Sequence, residues 1–220
     1  MNILEGFLEL GKLTAFDVGD GDVGNTIQRI GGGLETFVKD IFSGTYGQEL
    51  DHEQRLRRYN EAFSLIGNSR NPPDLILKND DAIEIKKVDG LKSDIQLNSS
   101  PPKAYLLADD TRINRACREL ASKEGWSQKD FFYAVGSLVE GKIIRLWFVH
   151  GECYAADHSI YETASSRVAE SIGNDYSEGE LGETNEIASV PNIDPLGITR
   201  LRIRGMWIIR NPSIVFGDYL

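Results

Sequence analysis

The fold of this chain is decided by NPPDLILKNDDAIEIKK, the stretch at residues 71–87. Two stretches rich in leucine and isoleucine, at residues 74–78 and 82–87, are separated by Asn79-Asp80-Asp81, a polar sequence typical of a turn. The pattern therefore predicts two strands joined as a hairpin. With a three-residue loop, the expected pairs are Lys78 with Ala82, Ile76 with Glu84 and Asp74 with Lys86.

This register sorts the side chains of the hairpin into two sets, because side chains alternate between the faces of a strand. The polar set is Asp74, Glu84 and Lys86. The apolar set on the opposite face consists of Leu75, Leu77, Ile83 and Ile85. A two-residue loop would scatter both sets, so the apolar pattern selects the register that also assembles the polar cluster.

The polar set has the composition of a hydrolytic site. The carboxylates of Asp74 and Glu84 are the hard oxygen ligands that Mg²⁺ takes in proteins. Lys86 beside them can orient or activate a water molecule and stabilise charge on a phosphate. This combination indicates metal-dependent hydrolysis of a phosphodiester. The same spacing also arises by chance on charged surface hairpins, and that alternative stays open on spacing alone.

A third acid, Glu35, lies on a helix predicted before the hairpin. Apolar residues at helical spacing predict this helix over residues 30–42, and they are Leu34, Phe37, Val38 and Ile41. Gly31-Gly32-Gly33 is expected to break the chain near the start, and Ser43-Gly44 to end the helix. Glu35 borders the apolar stripe, so it is a candidate outer ligand of the metal site. The alternative is an ordinary solvated residue.

The order of Glu35, Pro73-Asp74 and Glu84-x-Lys86 resembles the PD-(D/E)XK nuclease core. Five blocks in sequence order resemble, more specifically, the NgoPII family of type II restriction endonucleases, and they are residues 38–44, 71–74, 81–87, 97–100 and 201–207. The resemblance implies an α/β fold with a restriction-endonuclease-like PD-(D/E)XK core, a mixed β-sheet flanked by α-helices. It also implies a Mg²⁺-dependent enzyme that cuts double-stranded DNA at GGCC and leaves 5′-phosphate ends.

The resemblance further implies roles and partners. Asp74 and Glu84 would bind Mg²⁺, Glu35 would help directly or through water, and Lys86 would position the attacking water. A cognate methyltransferase would protect host DNA at the same site. Because the target is a palindrome, a two-fold symmetric homodimer with one active site per strand is expected.

Composition limits the class of protein. With 220 residues and 40% hydrophobic residues, the chain is expected to form a single nuclease domain over residues 1–220. No apolar run approaches the ~18 residues of a membrane span, and residues 1–13 lack the basic start of a signal peptide. Cys117 and Cys153 form no disulfide or zinc pattern; Cys117 is expected in the core on a helix, and Cys153 is expected to pack near a strand end. A cytoplasmic protein is expected.

The net charge of −10 argues against a simple DNA-coating protein, so contact with DNA needs a local basic surface. A predicted strand over residues 198–209 supplies one, with Leu201 and Ile203 pointing into the core and the arginines Arg200, Arg202 and Arg204 together on the other face. Arginine pairs bidentately with guanine, which suits a site rich in G·C. A second basic group, at residues 55–58, is equally compatible with a solvated helix face.

Residues 96–103 form another candidate DNA-facing segment, since they follow the catalytic strand closely. The side chains that could bond to base edges or phosphates are Asn98, Ser99, Ser100 and Lys103. Without the family resemblance, an ordinary polar loop is the better interpretation.

Two other functions stay open on the sequence. A repair or junction-resolving nuclease on the same core would cut by DNA structure and not by sequence. A DNA-binding protein that has lost activity is disfavoured by the intact Asp74, Glu84 and Lys86. A binding module with a chance hairpin is disfavoured by the ordered family blocks.

Overall fold

A computed structural model describes residues 1–13, 26–68, 71–110, 112–139, 142–172, 187–190 and 194–219, with backbone alone for residues 26–32, 68, 71 and 98. The helices are α1 (Ile3–Gly11), α2 (Thr26–Ser43), α3 (His52–Ala62), α4 (Arg115–Glu124), α5 (Gly151–Tyr154), α6 (His158–Ser171) and α7 (Pro212–Val215). The strands are β1 (Phe63–Asn68), β2 (Asn71–Leu77), β3 (Ala82–Asp89), β4 (Ile95–Asn98), β5 (Tyr105–Leu107), β6 (Gln128–Val139), β7 (Lys142–His150), β8 (Ala188–Val190), β9 (Leu201–Ile203) and β10 (Trp207–Ile209).

A mixed six-stranded sheet forms the centre of the fold. Strands β1, β2 and β3 follow one another as an antiparallel meander. β3 then pairs in parallel with β6, over a register that runs from Ala82 opposite Phe131 to Asp89 opposite Leu138. Both β5 and β7 pair antiparallel with β6. The expected class, a mixed sheet flanked by helices, is confirmed.

Both faces of the sheet are covered, because side chains alternate along the central strands and are buried on both sides. Leu75, Leu77 and Ile83 belong to a core that includes the buried side of α2. Ile76, Ala82 and Val88 belong to a second core that includes Cys117 of α4. The apolar set predicted from the hairpin therefore lies together, but the polar set shares its face with buried apolar residues. Water therefore has little access to the charged groups on this face.

Helix α2 is longer than predicted. It runs through Gly31-Gly32-Gly33, so the expectation that these glycines break the chain is wrong. Its predicted apolar stripe is buried against the sheet, with Leu34, Phe37, Val38 and Ile41 all nearly inaccessible. Gly136 of β6 permits this close packing, because a Cβ there would lie 2.6 Å from a methyl group of Leu34. Packing of this stripe sets the position of Glu35 over the sheet.

Helix α1 is attached to the turn of the β2–β3 hairpin. Asn2 and Glu5 form a capping box at its start, and the backbone N–H of Ile3 donates to Asp80 Oδ2 at 2.6 Å. The helix packs by Phe7 and Leu10 onto the core that contains α2. Among the described helices, none is long and apolar enough to cross a membrane.

The C-terminal part of the chain adds two small two-stranded sheets. β10 pairs with β4, and β9 pairs with β8. The single strand predicted over residues 198–209 is therefore wrong, because it is divided into β9 and β10 with different partners. Cys117 is buried as expected. Cys153 follows the end of β7 but is exposed in α5, so the expectation that it packs there is wrong.

Candidate nuclease site

The β2–β3 hairpin has a register different from the predicted one. Leu75 pairs with Ile83 and Ile76 with Ala82, so the predicted partner of Ile76, Glu84, is wrong. The loop is residues 78–80, in which Asn79 has a φ of 59°. Since the shift relative to the predicted pairs is two residues, every side chain keeps its face. If the pairing continued by one residue, Asp74 would lie opposite Glu84.

The two strands separate at Asp74, and the side chain of this residue occupies the gap. Only the pairs at Leu75 and Ile76 join β2 to β3 among the described residues. Beyond them, the backbone N–H of Ile85 donates to Asp74 Oδ2 at 2.7 Å. The carboxylate thus satisfies a donor that a neighbouring strand would otherwise satisfy. This bond fixes Asp74 beside β3 and next to Glu84.

Strand β1 passes unusually close to the residue before Asp74. At Gly67, a Cβ would lie 2.2 Å from the carbonyl oxygen of Pro73. Only glycine permits this approach without a backbone shift. The position of Asp74 therefore depends on β1 as well as on the hairpin.

Glu84 is a buried carboxylate with one unsatisfied oxygen. Its residue is 7% exposed, and Oε1 lies 2.7 Å from Nζ of Lys86. Oε2 is buried and has no hydrogen-bond partner. A buried acceptor without a partner is costly, so this oxygen is suited to a donor or cation that binds later.

Asp74 is held in a state that resists ionisation. Burial raises the pKa of Asp74 to about 7, the negative charge of Glu84 adds to the rise, and Glu35 adds further. The N–H of Ile85 and the ammonium of Lys86 act in the opposite direction without cancelling it. Two carboxylates that repel each other in a poorly solvated place form a site that a divalent cation would relieve.

Lys86 carries a firmly held positive charge. Burial acts to lower the pKa of Lys86, but the carboxylates of Glu84 and Asp74 outweigh burial and raise the pKa above its ordinary value. The side chain is therefore an ammonium group at neutral pH. It can donate hydrogen bonds and stabilise negative charge, whereas abstraction of a proton from water does not suit it.

Glu35 contributes to the raised pKa of Asp74, but its carboxylate is bonded elsewhere. Its Oε1 is 2.5 Å from Nζ of Lys39, one helical turn further along α2. Over the described ranges, no three or more His, Cys, Asp and Glu side chains are grouped to hold a metal ion. The role of Glu35 as an outer ligand stays a prediction. Lys39 itself was missed, although Glu and Lys at i, i+4 are a recognisable ion-pair spacing.

The predicted DNA-facing segment after β4 is less exposed than expected. Ser99 is half-buried and Ser100 is buried, whereas Asn98 is described only by its backbone, which pairs with Trp207. Lys103 is 4% exposed and its ammonium forms an ion pair with Asp110, at the edge of a cavity of ≈ 430 Å³. A lysine engaged in this way is not presented to a phosphate, so DNA contact by Lys103 stays a prediction that this arrangement does not favour.

The arginines near the C-terminus are exposed, as predicted, but they lie on and beside β9 and not on one long strand. Arg202 lies in β9 opposite Ser189 of β8, while Arg200 and Arg204 flank the strand. Leu201 is 46% exposed, so its predicted place in the core is wrong. The alternating arginines therefore belong to a short ribbon, the two-stranded sheet of β8 and β9 at the protein surface, and not to the central sheet.

The arginines of α3 have local acidic partners. Arg55 forms an ion pair with Asp40, which also accepts hydrogen bonds from Tyr59 and Thr45, each at 2.6 Å. Arg57 and Arg58 lie 3.4 and 3.5 Å from glutamates of the same helix. These contacts favour the solvated-face interpretation of the helix and give Arg55 a role in joining α3 to α2.

Comparisons with known proteins identify the family of the chain. The sequence model of the NgoPII restriction endonuclease family matches residues 1–220. The chain is 40% identical over 218 residues to the type II restriction enzyme NgoPII of Neisseria gonorrhoeae, an alignment that covers 98% of this chain and 76% of that protein. No solved structure matches the chain.

Proposed function

The chain belongs to the NgoPII restriction endonuclease family, and from that premise we propose that the hairpin site hydrolyses phosphodiesters of double-stranded DNA with Mg²⁺. The observation that carries this proposal is the meeting of Asp74, Glu84 and Lys86 at one buried place. As a type II restriction endonuclease, the enzyme is a site-specific deoxyribonuclease. We further propose that it acts with Mg²⁺ at GGCC and leaves 5′-phosphate ends.

The residues present fit a divalent cation. Asp74 and Glu84 supply adjacent carboxylates, and Oε2 of Glu84 is a buried oxygen without a partner. When bound there, Mg²⁺ supplies an activated water and polarises the scissile phosphate. Asp74 and Glu84 would hold it, and Glu35 would take part directly or through a water molecule.

Lys86 supplies positive charge and hydrogen-bond donors to the reaction. Its ammonium pairs with Glu84 at 2.7 Å. Because the pKa of Lys86 is raised, this group stays protonated while it orients the attacking water and supports the charge that builds on the phosphate. Loss of the ammonium should therefore abolish cutting more than it weakens DNA binding.

DNA recognition and assembly complete the proposal. The exposed arginines Arg200, Arg202 and Arg204 are the best-placed readers of guanine, with Asn98, Ser99 and Ser100 as further candidates. A palindromic target is matched by a homodimer, with one site acting on each strand. A cognate methyltransferase would modify the same target without having to bind this chain.

The test is digestion of unmethylated plasmid with the parent chain, Lys86→Ala and Lys87→Ala, each with Mg²⁺ and with EDTA. Lys87 is the matched control, because it is the next residue of β3, faces the other way and pairs with Asp89 at 3.2 Å. We expect Mg²⁺-dependent fragments that end within GGCC for the parent and Lys87→Ala, and none for Lys86→Ala.

Mapping the ends separates the alternatives. Cuts at unusual DNA structures would replace the restriction assignment by a repair or junction-resolving function. DNA binding without any cutting by the parent would indicate an inactive DNA-binding protein. Parent-like cutting by Lys86→Ala would remove Lys86 from the mechanism.

A further inference from the structure

The tip of the β8–β9 ribbon carries two aliphatic side chains that the protein leaves uncovered. The pairing of the two strands ends at Val190 opposite Leu201, and Leu196 and Ile198 lie in the connection between them. Both are 80% exposed, more than any other large aliphatic side chain among the described residues. A single exposed aliphatic residue is ordinary, whereas two at one tip form a local apolar surface.

The backbone of this tip is held by Asp194, which accepts several of its N–H groups. Oδ1 accepts from Leu196 at 3.0 Å, and Oδ2 accepts from Ile198 at 3.2 Å and from Thr199 at 2.6 Å. The carbonyl oxygen of Asp194 accepts from Gly197, whose φ of 65° suits glycine. The hydrogen bond from the Thr199 side chain, together with the backbone donors, lowers the pKa of Asp194 to about 2. An ionised carboxylate thus orders the backbone that presents the two aliphatic side chains to water.

The sequence around the tip is basic in a chain that is acidic as a whole. Residues 195–210 contain four arginines and no aspartate or glutamate, whereas the net charge of the chain is −10. Arg200 and Arg202 follow Ile198 by two and four residues, so even a fully extended backbone places them within roughly 14 Å of it. One turn of B-DNA is about 34 Å long, so the arginines and the tip can contact the same turn. This charge favours a polyanion as the partner over a second copy of the acidic chain.

Aliphatic side chains gain free energy from DNA only where they leave water. The apolar group that base edges offer is the methyl group of thymine, and the proposed target GGCC contains none. The other apolar surfaces of a duplex are the faces of its stacked bases, which leucine and isoleucine reach by insertion between base pairs. A two-stranded ribbon is narrow enough to enter a groove and bring its tip to the bases.

We propose that Leu196 and Ile198 form an apolar wedge that enters between neighbouring base pairs of the target when the ribbon binds DNA. Insertion partly unstacks the duplex and kinks it. The energy of the kink depends on the bases at that step, so the wedge contributes to recognition of the sequence. This inference rests on the proposed function, in which the chain cuts double-stranded DNA and the arginines of the ribbon contact the target.

The experiment measures unstacking, bending and affinity in the absence of Mg²⁺, on a duplex in which G·C pairs flank GGCC. Pyrrolo-cytosine at each cytosine of GGCC in turn reports unstacking by a rise in fluorescence, and energy transfer between dyes at the two ends reports bending. The proteins are the parent, Leu196→Ala, Ile198→Ala and the double variant. We expect the parent to raise both signals. The double variant should lose them and bind about tenfold more weakly or worse, because the burial of two side chains is lost.

Matched variants separate insertion from general effects. Leu8→Ala removes a leucine that is 68% exposed on α1, and it should behave like the parent in all three measurements. Leu196→Met keeps an apolar side chain of similar volume and should keep the kink. The double variant removes no charge, so its affinity should fall without a change in the salt dependence of binding. Urea unfolding should be parent-like for every variant, since the substituted side chains are exposed.

Digestion of plasmid by the parent is measured alongside, so that the outcomes are distinguishable. A parent that cuts plasmid without unstacking or bending GGCC would overturn the wedge alone, and so would parent-like signals from the double variant. If sedimentation shows that the double variant separates two associated copies of the chain, the tip is a contact between copies and the wedge is also overturned. A parent that neither cuts nor binds duplex DNA would overturn the proposed function together with the wedge.

Discussion

At the scale of single residues, Asp74 makes the stability of the fold depend on pH. Its pKa is raised to about 7 by burial, by Glu84 and by Glu35, whereas an unfolded aspartate has an ordinary pKa of 3.8. Between these values the folded state binds more protons, so this residue causes stability to fall as pH rises from about 4 to about 7. Above the upper value the penalty is fully present, and protonation below the lower value removes it.

Asp74→Asn should therefore make the chain more stable at pH 8 in EDTA, by an amount on the order of 2 kcal/mol, and should leave stability at pH 4 nearly unchanged. The amide oxygen can still accept from the N–H of Ile85. Urea unfolding at both pH values measures the effect. Asp89→Asn is the control, since that side chain is 89% exposed. An Asp74→Asn variant that is less stable than the parent at pH 8 would contradict this account.

At the scale of elements, the site depends on the close passage of β1 behind β2. Alanine at Gly67 would place its Cβ 2.2 Å from the carbonyl oxygen of Pro73, so the backbone beside Asp74 has to shift. We expect Gly67→Ala to lower stability by about 1–3 kcal/mol and to reduce plasmid cutting further than the lost folded fraction explains. Urea unfolding and cleavage rates measured on the same preparation give the two quantities.

Gly11→Ala is the control for Gly67→Ala. Gly11 ends α1, and a Cβ there would meet no atom within 4 Å. The free energy of unfolding of the Gly11→Ala variant should rise by no more than about 1 kcal/mol, because alanine favours a helix more than glycine does. Parent-like cutting by Gly67→Ala would show that Asp74 does not depend on β1.

At the scale of the whole molecule, a net charge of −10 has to be reconciled with binding to a polyanion. The exposed ribbon that carries Arg202 concentrates positive charge locally. If Arg202 reads guanine, Arg202→Ala should weaken binding to a GGCC duplex by about 1–3 kcal/mol and relax specificity at that base. If it meets a phosphate, affinity should fall for all sequences and the salt dependence should decrease by about one unit of slope.

Fluorescence anisotropy over a salt series, without Mg²⁺, distinguishes these two results. Arg57→Ala is the matched control, because Arg57 is exposed on α3 and lies 3.4 Å from Glu53. It should bind DNA like the parent. Parent-like binding by Arg202→Ala as well would mean that DNA approaches the molecule from another side.

Local patterns in the sequence determined the elements around the site. Alternation in β2 and β3 placed Asp74, Glu84 and Lys86 on one face even though the register was wrong, because a shift of two residues preserves the face of every side chain. The stripe on α2 was also correct, since apolar spacing reports which side of a helix is buried. The family membership, which the ordered blocks indicated, is confirmed over the whole chain.

Tertiary structure decided which charged groups pair outside the regular spacing of a helix. Lys103 follows a polar segment in the sequence, yet Asp110 pairs with it in the interior. The residues after Arg200 alternate as a single strand would, yet β8 and β4 take separate halves of the segment as partners. The sequence by itself determined the chemistry of the hairpin and the faces of its strands, because these follow from local periodicity. Ion pairs, strand partners and the burial that raises the pKa of Asp74 depend on contacts between distant segments, which periodicity does not record.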